Sequence, residues 1–234
     1  MGLTTTANSA IAMDQNRHLT VRLRGLLVLV LAMLVSSCGV NEVVVEGQFP
    51  SPLLDKLPVT LGVYYKPEFR EHEFFDEATT RGESDWIVRT GAAQVQMYNT
   101  LLEGMFERVV LLNELPRKER VAAVGRQAVD AILVPEVNEL QYSIPIHTKI
   151  NVFEIWMRYR YELYSANGVQ LADWTMTAYG KTPTAFLRSA EAAVNLAAVV
   201  ALRDAGANFA VNFKQVPEVK QWLQDTAEKQ RATP

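Results

Sequence analysis

The segment YRYELYSANGVQLADWTM, residues 159–176, decides the fold of this chain because it carries two alternating strands around an Asn-Gly pair. Asn167-Gly168 is the preferred pair for a two-residue type I′ turn between antiparallel strands. A slip of one residue would mix polar and apolar side chains on each face, so the turn and the alternation support one register. The sequence therefore predicts a long hairpin over residues 151–182. Counted outward from the turn, its apolar face pairs Leu163 with Ala172, Tyr161 with Trp174, Tyr159 with Met176, and Met157 with Ala178.

The opposite face of this hairpin carries mostly charged residues and threonines, with one aromatic pair among them. The same register places Trp156 opposite Tyr179 and Glu154 opposite Lys181. An exposed aromatic pair flanked by charges is a candidate interaction surface, and the alternative is an ordinary cross-strand pair on a solvated face. We assign the candidate surface to Trp156, Tyr179, Arg158 and Arg160.

Hydrophobic periodicity predicts further elements before the hairpin. A strand is predicted over residues 58–65, because alternate residues there are apolar. An amphipathic helix over about 91–108, with Thr90 as its N-cap, leads into a buried strand over 109–112. The next strand, about 129–142, contains Pro135, which lacks a backbone donor and is expected at a sheet edge or a bulge.

A second long helix is predicted over about 185–213. Its packed stripe is narrow and rich in alanine, and consists of Ala190, Val194, Ala197, Ala201, Ala205, Phe209 and Phe213. A layered fold is the simplest solution for this order of strands and helices. We therefore predict an α+β class, with a mixed, mainly antiparallel sheet and the two long helices packed on one face.

The N-terminal residues have the pattern of a secretory signal. Three arginines precede the apolar run 25–35, which is too short to cross a bilayer comfortably and is followed by small residues. Cys38, the one cysteine of the chain, follows them and resembles the lipidated cysteine of bacterial lipoproteins. The alternative is an ordinary signal peptide whose small-residue region contains a cysteine. Met13 is an alternative start to Met1.

Proline spacing and composition indicate how the chain is divided. Pro50, Pro52 and Pro58 favour an extended connector rather than a helix. We predict a cleaved signal peptide over 1–37, a lipidated tether over 38–57, a single α+β periplasmic domain over 58–226, and a disordered tail over 227–234.

Charge and motifs exclude several classes of function. The formal net charge is −3, and it becomes −5 once residues 1–37 are removed, so a mildly acidic chain without a basic cluster is a poor candidate for nucleic-acid binding. The sequence contains no Gly-x-Ser-x-Gly elbow and no Gly-rich phosphate loop, and the acidic residues around His72 match no helical zinc spacing. We expect no enzymatic activity, no metal and no cofactor. A hydrolase that uses His72 or His147 is the least favoured alternative.

A family resemblance rests on the order of these segments. The block Ala93–Leu112, the strand from Val129 to Val137, the charged hairpin and the Ala-rich helix follow one another along the chain. This order resembles the periplasmic lipoproteins whose fold is like the N-terminal domain of TolB and the curli secretion channel lipoprotein, over most of residues 57–213. The resemblance implies an outer-membrane-anchored accessory or assembly protein, in a group of which several members form rings. The chain lacks the long insert with which the curli channel forms its pore.

The favoured hypothesis is therefore a lipid-anchored accessory or scaffold protein of a cell-envelope assembly or transport complex. Its expected partners are the membrane, through palmitate and related lipid on Cys38, an envelope protein complex, and further copies of itself. Gly39 after the cysteine resembles the sorting signal for the outer membrane, with the body facing the periplasm. The alternative is a binding module for a lipid or a saccharide in a pocket between sheet and helices.

Overall fold

The computed structural model describes residues 40–77, 84–115, 129–143, 152–183 and 189–232. The chain divides into two compact units, one of residues 41–77 and 86–234 and one of residues 1–40 and 78–85. Only residues 40, 84 and 85 of the second unit are described, and the elements below all belong to the first.

The described strands and helices follow one another in unequal groups, without the strict alternation of an α/β fold, which confirms the α+β class. In chain order they are β1 (Asn41–Val44), β2 (Leu57–Val63), α1 (Pro67–Arg70), β3 (Glu73–Asp76), β4 (Trp86–Arg89), α2 (Gly91–Met105), β5 (Phe106–Leu111), β6 (Ala131–Ser143), β7 (Val152–Ser165), β8 (Gln170–Pro183), α3 (Ala190–Asn212), a 3-10 turn (Phe213–Gln215) and α4 (Pro217–Ala232).

The strands form two sheets where a single one was expected. The larger sheet has five strands in the order β5-β2-β6-β7-β8, and the smaller has three in the order β1-β4-β3. Strand β2 runs parallel to both β5 and β6, whereas β6, β7 and β8 are antiparallel. The larger sheet is therefore mixed, and its longest ladders are the antiparallel ones, as predicted.

The register of the β7–β8 hairpin is the predicted one, but its turn is not. Tyr161 pairs with Trp174, and the other three apolar pairs also form as counted from the sequence. The turn itself spans Ser165 to Gly168, because the Gly168 N–H donates to the Ser165 carbonyl oxygen at 2.9 Å. Gly168 has a φ of 74°, the left-handed conformation that follows a type I turn in a hairpin with a bulge. A register shift between Leu163 and Tyr164 absorbs the extra residue, so the longer turn leaves the rest of the ladder unchanged.

Helices α2 and α3 pack on the same face of the five-stranded sheet. The ring of Tyr98 on α2 lies edge-on to Tyr159 and Tyr161 of β7 and to Phe209 of α3. The hydroxyls of Tyr98 and Tyr161 share a hydrogen bond inside this cluster, and burial raises the pKa of both. The predicted stripe of α3 is buried here, apart from the half-buried Ala190.

Backbone contact between α3 and β8 depends on Gly180. A Cβ at this position would lie 1.9 Å from the carbonyl oxygen of Ala197 and 2.4 Å from the backbone nitrogen of Ala201. Only a residue without a side chain allows the helix to approach the strand so closely. The alanines of α3 have small side chains, so they too allow the helix to approach β8 closely.

Residues 41–52 belong to the folded body, which corrects the predicted tether over 38–57. Strand β1 pairs with β4, and Val43 and Val45 are buried in the main core. We call residues 46–52 the strap, because this segment lies against α2 and α3. Asn195 of α3 accepts from the Glu46 N–H at 2.9 Å and donates to its carbonyl oxygen at 3.2 Å, which fixes the strap to the helix.

Three other boundaries differ from the predictions. Helix α2 ends at Met105 instead of about 108, since Phe106 already has extended backbone and starts β5. Helix α3 begins at Ala190 with Ser189 as its N-cap, and residues 185–188 of the predicted helix lie outside the described part of the chain. Helix α4 continues to Ala232, where a disordered tail from 227 was expected.

Pro135 lies on β6, an interior strand of the five-stranded sheet, and its missing backbone N–H is accommodated there. The Leu133 carbonyl oxygen accepts from the Tyr64 N–H on the β2 side, so residue 135 faces the same side. The pairing of β2 with β6 stops at Leu133, and a bulge follows between Val137 and Glu139. The missing donor therefore falls on the β2 side of β6, where β6 has no ladder partner beyond Leu133 among the described residues, as expected for proline.

Among the described residues, one helical stretch, Ala190–Gln215, is long and apolar enough to cross a membrane by length and composition. Half of its most apolar window is buried inside the protein. Its apolar side chains are used in the core against the sheet.

We expect Gly180→Ala to destabilise the protein by about 1–3 kcal/mol or more, because the new methyl group would force α3 away from β8. Urea unfolding followed by circular dichroism measures this loss. Gly168→Asn is the matched control, because asparagine tolerates the left-handed conformation of the turn at little cost. Equal unfolding midpoints for Gly180→Ala and the unmodified protein would contradict the described contact.

Candidate functional site

The candidate surface lies on the face of the five-stranded sheet opposite α2 and α3, which we call the open face. Trp156 of β7 and Tyr179 of β8 are cross-strand partners there, with ring centroids 4.3 Å apart. Trp156 is 50 % exposed, so the sequence correctly indicated a solvent-facing aromatic pair. Both residues stand on long ladders of the sheet, which hold them more rigidly than a loop would.

Tyr179 is held in place by the strand beside it. Its hydroxyl donates to Glu154 Oε1 at 2.6 Å, and Lys181 Nζ lies 3.9 Å from the same oxygen. The hydrogen bond to Glu154, with some burial, raises the pKa of Tyr179 to about 12. The phenol therefore stays neutral at physiological pH and fixes one side of Trp156.

A small cavity lies on the other side of Trp156. Its volume is about 100 Å³, and its lining includes Glu139, Gln141 and Arg158. Arg158 Nη1 lies 3.0 Å from Glu139 Oε2 across the β6–β7 ladder. The cavity has the size of one side chain and combines an indole wall with a fixed ion pair.

Arg160 stands two residues further along β7 and is neutralised by its neighbours. Its Nε donates to Asp173 Oδ1 at 3.0 Å, and its Nη2 lies 3.4 Å from Glu162. The hydrogen bond from Arg160 lowers the pKa of Asp173, and the same bond raises that of Arg160. The structure therefore places Arg160 in a separate ion-pair group instead of beside Trp156.

The remaining charges of the open face are paired as well. Lys66 contacts Glu136 and lies 3.8 Å from Glu162. Partial burial lowers the pKa of Lys66, but the hydrogen bond and charge of Glu136 outweigh this effect and raise it. Since acidic and basic groups neutralise one another, the open face offers a partner an aromatic contact within a balanced polar surround.

Glu139 and Gln141 belong to this site, although no pattern in the sequence places them there. The bulge between Val137 and Glu139 adds a residue to β6, so Glu136 and Glu139 reach the same face despite their odd spacing. Strict alternation along residues 129–142 would put them on opposite faces. The closest available signal was the expectation of a bulge near Pro135.

Two predicted residues lie outside the described part of the chain, namely Cys38 and His147. His72 is described, and it is half-buried beside the start of α2. Its Nδ1 lies 2.7 Å from Thr90 Oγ1, which also accepts from Gln94 Nε2 at 2.9 Å. These two contacts hold the Thr90 side chain between His72 and Gln94. Thr90 is the N-cap residue of α2, as predicted, but its hydroxyl makes no hydrogen bond to the helix backbone.

Within the described ranges, no group of three or more His, Cys, Asp or Glu side chains is arranged to hold a metal ion. The carboxylates of the open face each have a basic or phenolic partner nearby. The site presents an exposed indole beside paired charges.

No family model matches the sequence, and no curated protein matches it either. Solved structures do share its architecture in part. A Xanthomonas campestris protein of the family DUF330 is 14 % identical, with 80 % of this chain and 99 % of that chain covered and a TM-score of 0.49.

Two structures described as lipoproteins are also similar. The minor lipoprotein from Acinetobacter baumannii is 12 % identical, with 68 % and 92 % of the two chains covered and a TM-score of 0.35. Lipoprotein GNA1162 from Neisseria meningitidis is 13 % identical, with 66 % and 99 % covered and a TM-score of 0.31. By its own fold and open face, the chain is an α+β protein with a helix-covered sheet and a free aromatic surface.

The environment of His72 predicts how stability changes with pH. Burial lowers the pKa of His72, which the charge of Glu73 only partly offsets. A base whose pKa is lowered on folding binds more protons in the unfolded chain, so stability falls as the pH drops below about 6.5. We expect His72→Gln to lose less stability than the unmodified protein between pH 7.5 and pH 5, as measured by urea midpoints. An equal loss in both proteins would show that His72 does not titrate on unfolding.

Proposed function

We propose that the protein is a lipid-anchored accessory or scaffold protein of a bacterial cell-envelope assembly or transport complex. In this proposal it is held at the outer membrane by lipid on Cys38 and faces the periplasm. The open face binds a protein partner of that complex, through a contact centred on Trp156.

The observation that carries the proposal is the exposed and fixed position of Trp156. Tryptophan, tyrosine and arginine dominate the energetics of protein interfaces, and Trp156 stands between Tyr179 and the Arg158–Glu139 pair. An aromatic side chain already fixed by its neighbours loses little conformational freedom on binding. The adjacent cavity of about 100 Å³ offers a seat for one side chain of the partner.

The proposed anchor and the folded body are joined by a very short segment. Cys38 precedes Asn41, the first residue of β1, by three positions. Three residues span at most roughly 11 Å, so lipid on Cys38 would hold β1 close to the membrane surface. A body held in this way meets its partners beside the bilayer, which fits a scaffold better than a freely diffusing binding protein.

The proposal assigns no catalytic step to the chain. His72 uses its Nδ1 for Thr90, and the carboxylates of the open face are engaged in ion pairs or hydrogen bonds. These interactions support structural roles for residues that a hydrolase would need free.

Trp156→Ala tests the docking surface. The anchored chain, solubilised from membranes in a mild detergent, is expected to sediment as a complex well above the mass of a single mature chain in the same detergent. Loss of a central tryptophan weakens an interface by about 2 kcal/mol or more, which lowers affinity about 30-fold, so the variant should sediment as the free chain.

Phe75→Ala is the control for this experiment, because Phe75 is an exposed aromatic residue on β3 in the smaller sheet. It should leave the complex intact. A complex that survives Trp156→Ala, or that is lost equally with Phe75→Ala, would contradict docking through the open face.

Cys38→Ser tests the anchor independently of the partner. Without a thiol the residue cannot be lipidated, so the chain should keep its signal segment and change in apparent mass. Metabolic labelling with palmitate should mark the unmodified protein and leave Cys38→Ser unlabelled. Palmitate labelling of Cys38→Ser would place the lipid elsewhere and reject the lipoprotein assignment.

A further inference from the structure

A second concave site lies on the side of the molecule away from the open face, under the strap. A groove of about 260 Å³, open to solvent on one side, lies between the strap and helices α2 and α3. The strap contributes Phe49 and Pro52, and α2 contributes Met97 and Leu101. The walls are therefore mostly apolar, as in sites that bind hydrocarbon.

The third wall is made of small residues on α3. Gly206, Ala207 and Ala210 line the cavity and leave the space that larger side chains would fill. Packed interiors rarely leave voids of this size, and a groove open to solvent on one side can accept a ligand without rearrangement of the core. Leu53 and Val211, which follow the lining residues Pro52 and Ala210 in the sequence, are exposed.

One charged residue lines the cavity, and it is basic. Arg203 donates from Nε and Nη2 to the carbonyl oxygen of Gln48, at 3.2 and 2.8 Å, so the guanidinium is fixed at the junction of strap and helix. A guanidinium has five N–H donors, and this contact with one carbonyl oxygen uses two of them, so the remaining N–H groups at the end of the guanidinium can bind a ligand. Arg203 forms no ion pair with any residue in the described part of the chain.

We propose that this cavity is a binding site for an anionic single-chain amphiphile, with the acyl chain under the strap and the carboxylate or phosphate at Arg203. Hydrocarbon matches the apolar walls, and the fixed guanidinium matches an oxyanion in charge and in bidentate geometry. A neutral or cationic amphiphile cannot make the charge-assisted contact with Arg203. This site is separate from the proposed docking surface and does not depend on it.

Photoaffinity labelling of the full chain in mild detergent tests the site. The probes are dodecanoate and dodecylamine that carry the same photoreactive diazirine in the chain, at concentrations below micelle formation. Dodecanoate should label peptides that contain residues 97–101 and 203–210. The charge-assisted contact should favour it over dodecylamine by about tenfold.

Two variants separate the contribution of charge from that of the cavity. Arg203→Gln keeps a donor for Gln48 but removes the charge, so the preference for dodecanoate should disappear. Ala207→Phe fills the cavity and should lower labelling by both probes at least fivefold. Ala192→Phe, at an exposed position of the same helix, is the matched control and should label like the unmodified protein.

Thermal unfolding of each variant shows whether it is folded. If Ala207→Phe does not fold, the labelling of Arg203→Gln alone tests the proposal. The proposal is overturned if labelling is spread along the chain. It is also overturned if the two probes label this site equally in the unmodified protein. Unchanged labelling in both variants also overturns it, since the probe would then bind elsewhere.

Discussion

The close backbone contact between helix α3 and strand β8 at Gly180 is the constraint on which the rest of the structure depends. It places the helix carbonyl of Ala197 where any side chain at position 180 would stand. At this distance Asp204 accepts from the Tyr179 N–H at 2.9 Å, and Asn208 donates to the Thr177 carbonyl oxygen at 3.3 Å. Strand β8 is an edge strand, and these two side chains satisfy backbone groups that would otherwise be open to pairing.

Because one side of α3 is packed on the sheet, its other side is held in position to bind the strap. Asn195 and Arg203 of this helix hold the backbone of Glu46 and Gln48. The same helix therefore closes the hydrophobic core, protects the sheet edge and forms the cavity at which we propose an amphiphile binds. On the open face, Tyr64 and Tyr164 pack against a small apolar cluster of Val129, Ile132 and Val134, whereas Trp156 stays half exposed.

The sequence predicted those features that depend on local alternation. It failed where contacts between residues far apart in the chain determine the structure. The hairpin register follows from period-two patterning between residues 157 and 178, so a wrong turn type at Gly168 did not change it. Residues 41–52 looked like a tether, because the prolines of the strap favour extended backbone and β4, the parallel partner of β1, is more than forty residues away. Likewise, the Arg158–Glu139 pair depends on the position of a bulge in β6, for which Pro135 was only an approximate signal.

The central claim is that the two sides of the hairpin have different tasks, with the inner side building the core and the open face binding a protein. A photocrosslinking amino acid placed in turn at Trp156, Thr175, Ala192 and Val211 tests it most directly in intact cells. Trp156 and Thr175 lie on the open face, whereas Ala192 and Val211 are exposed on α3. We predict adducts with one and the same protein from the two open-face positions and none from the helix. Protein adducts from the α3 positions alone would contradict the account.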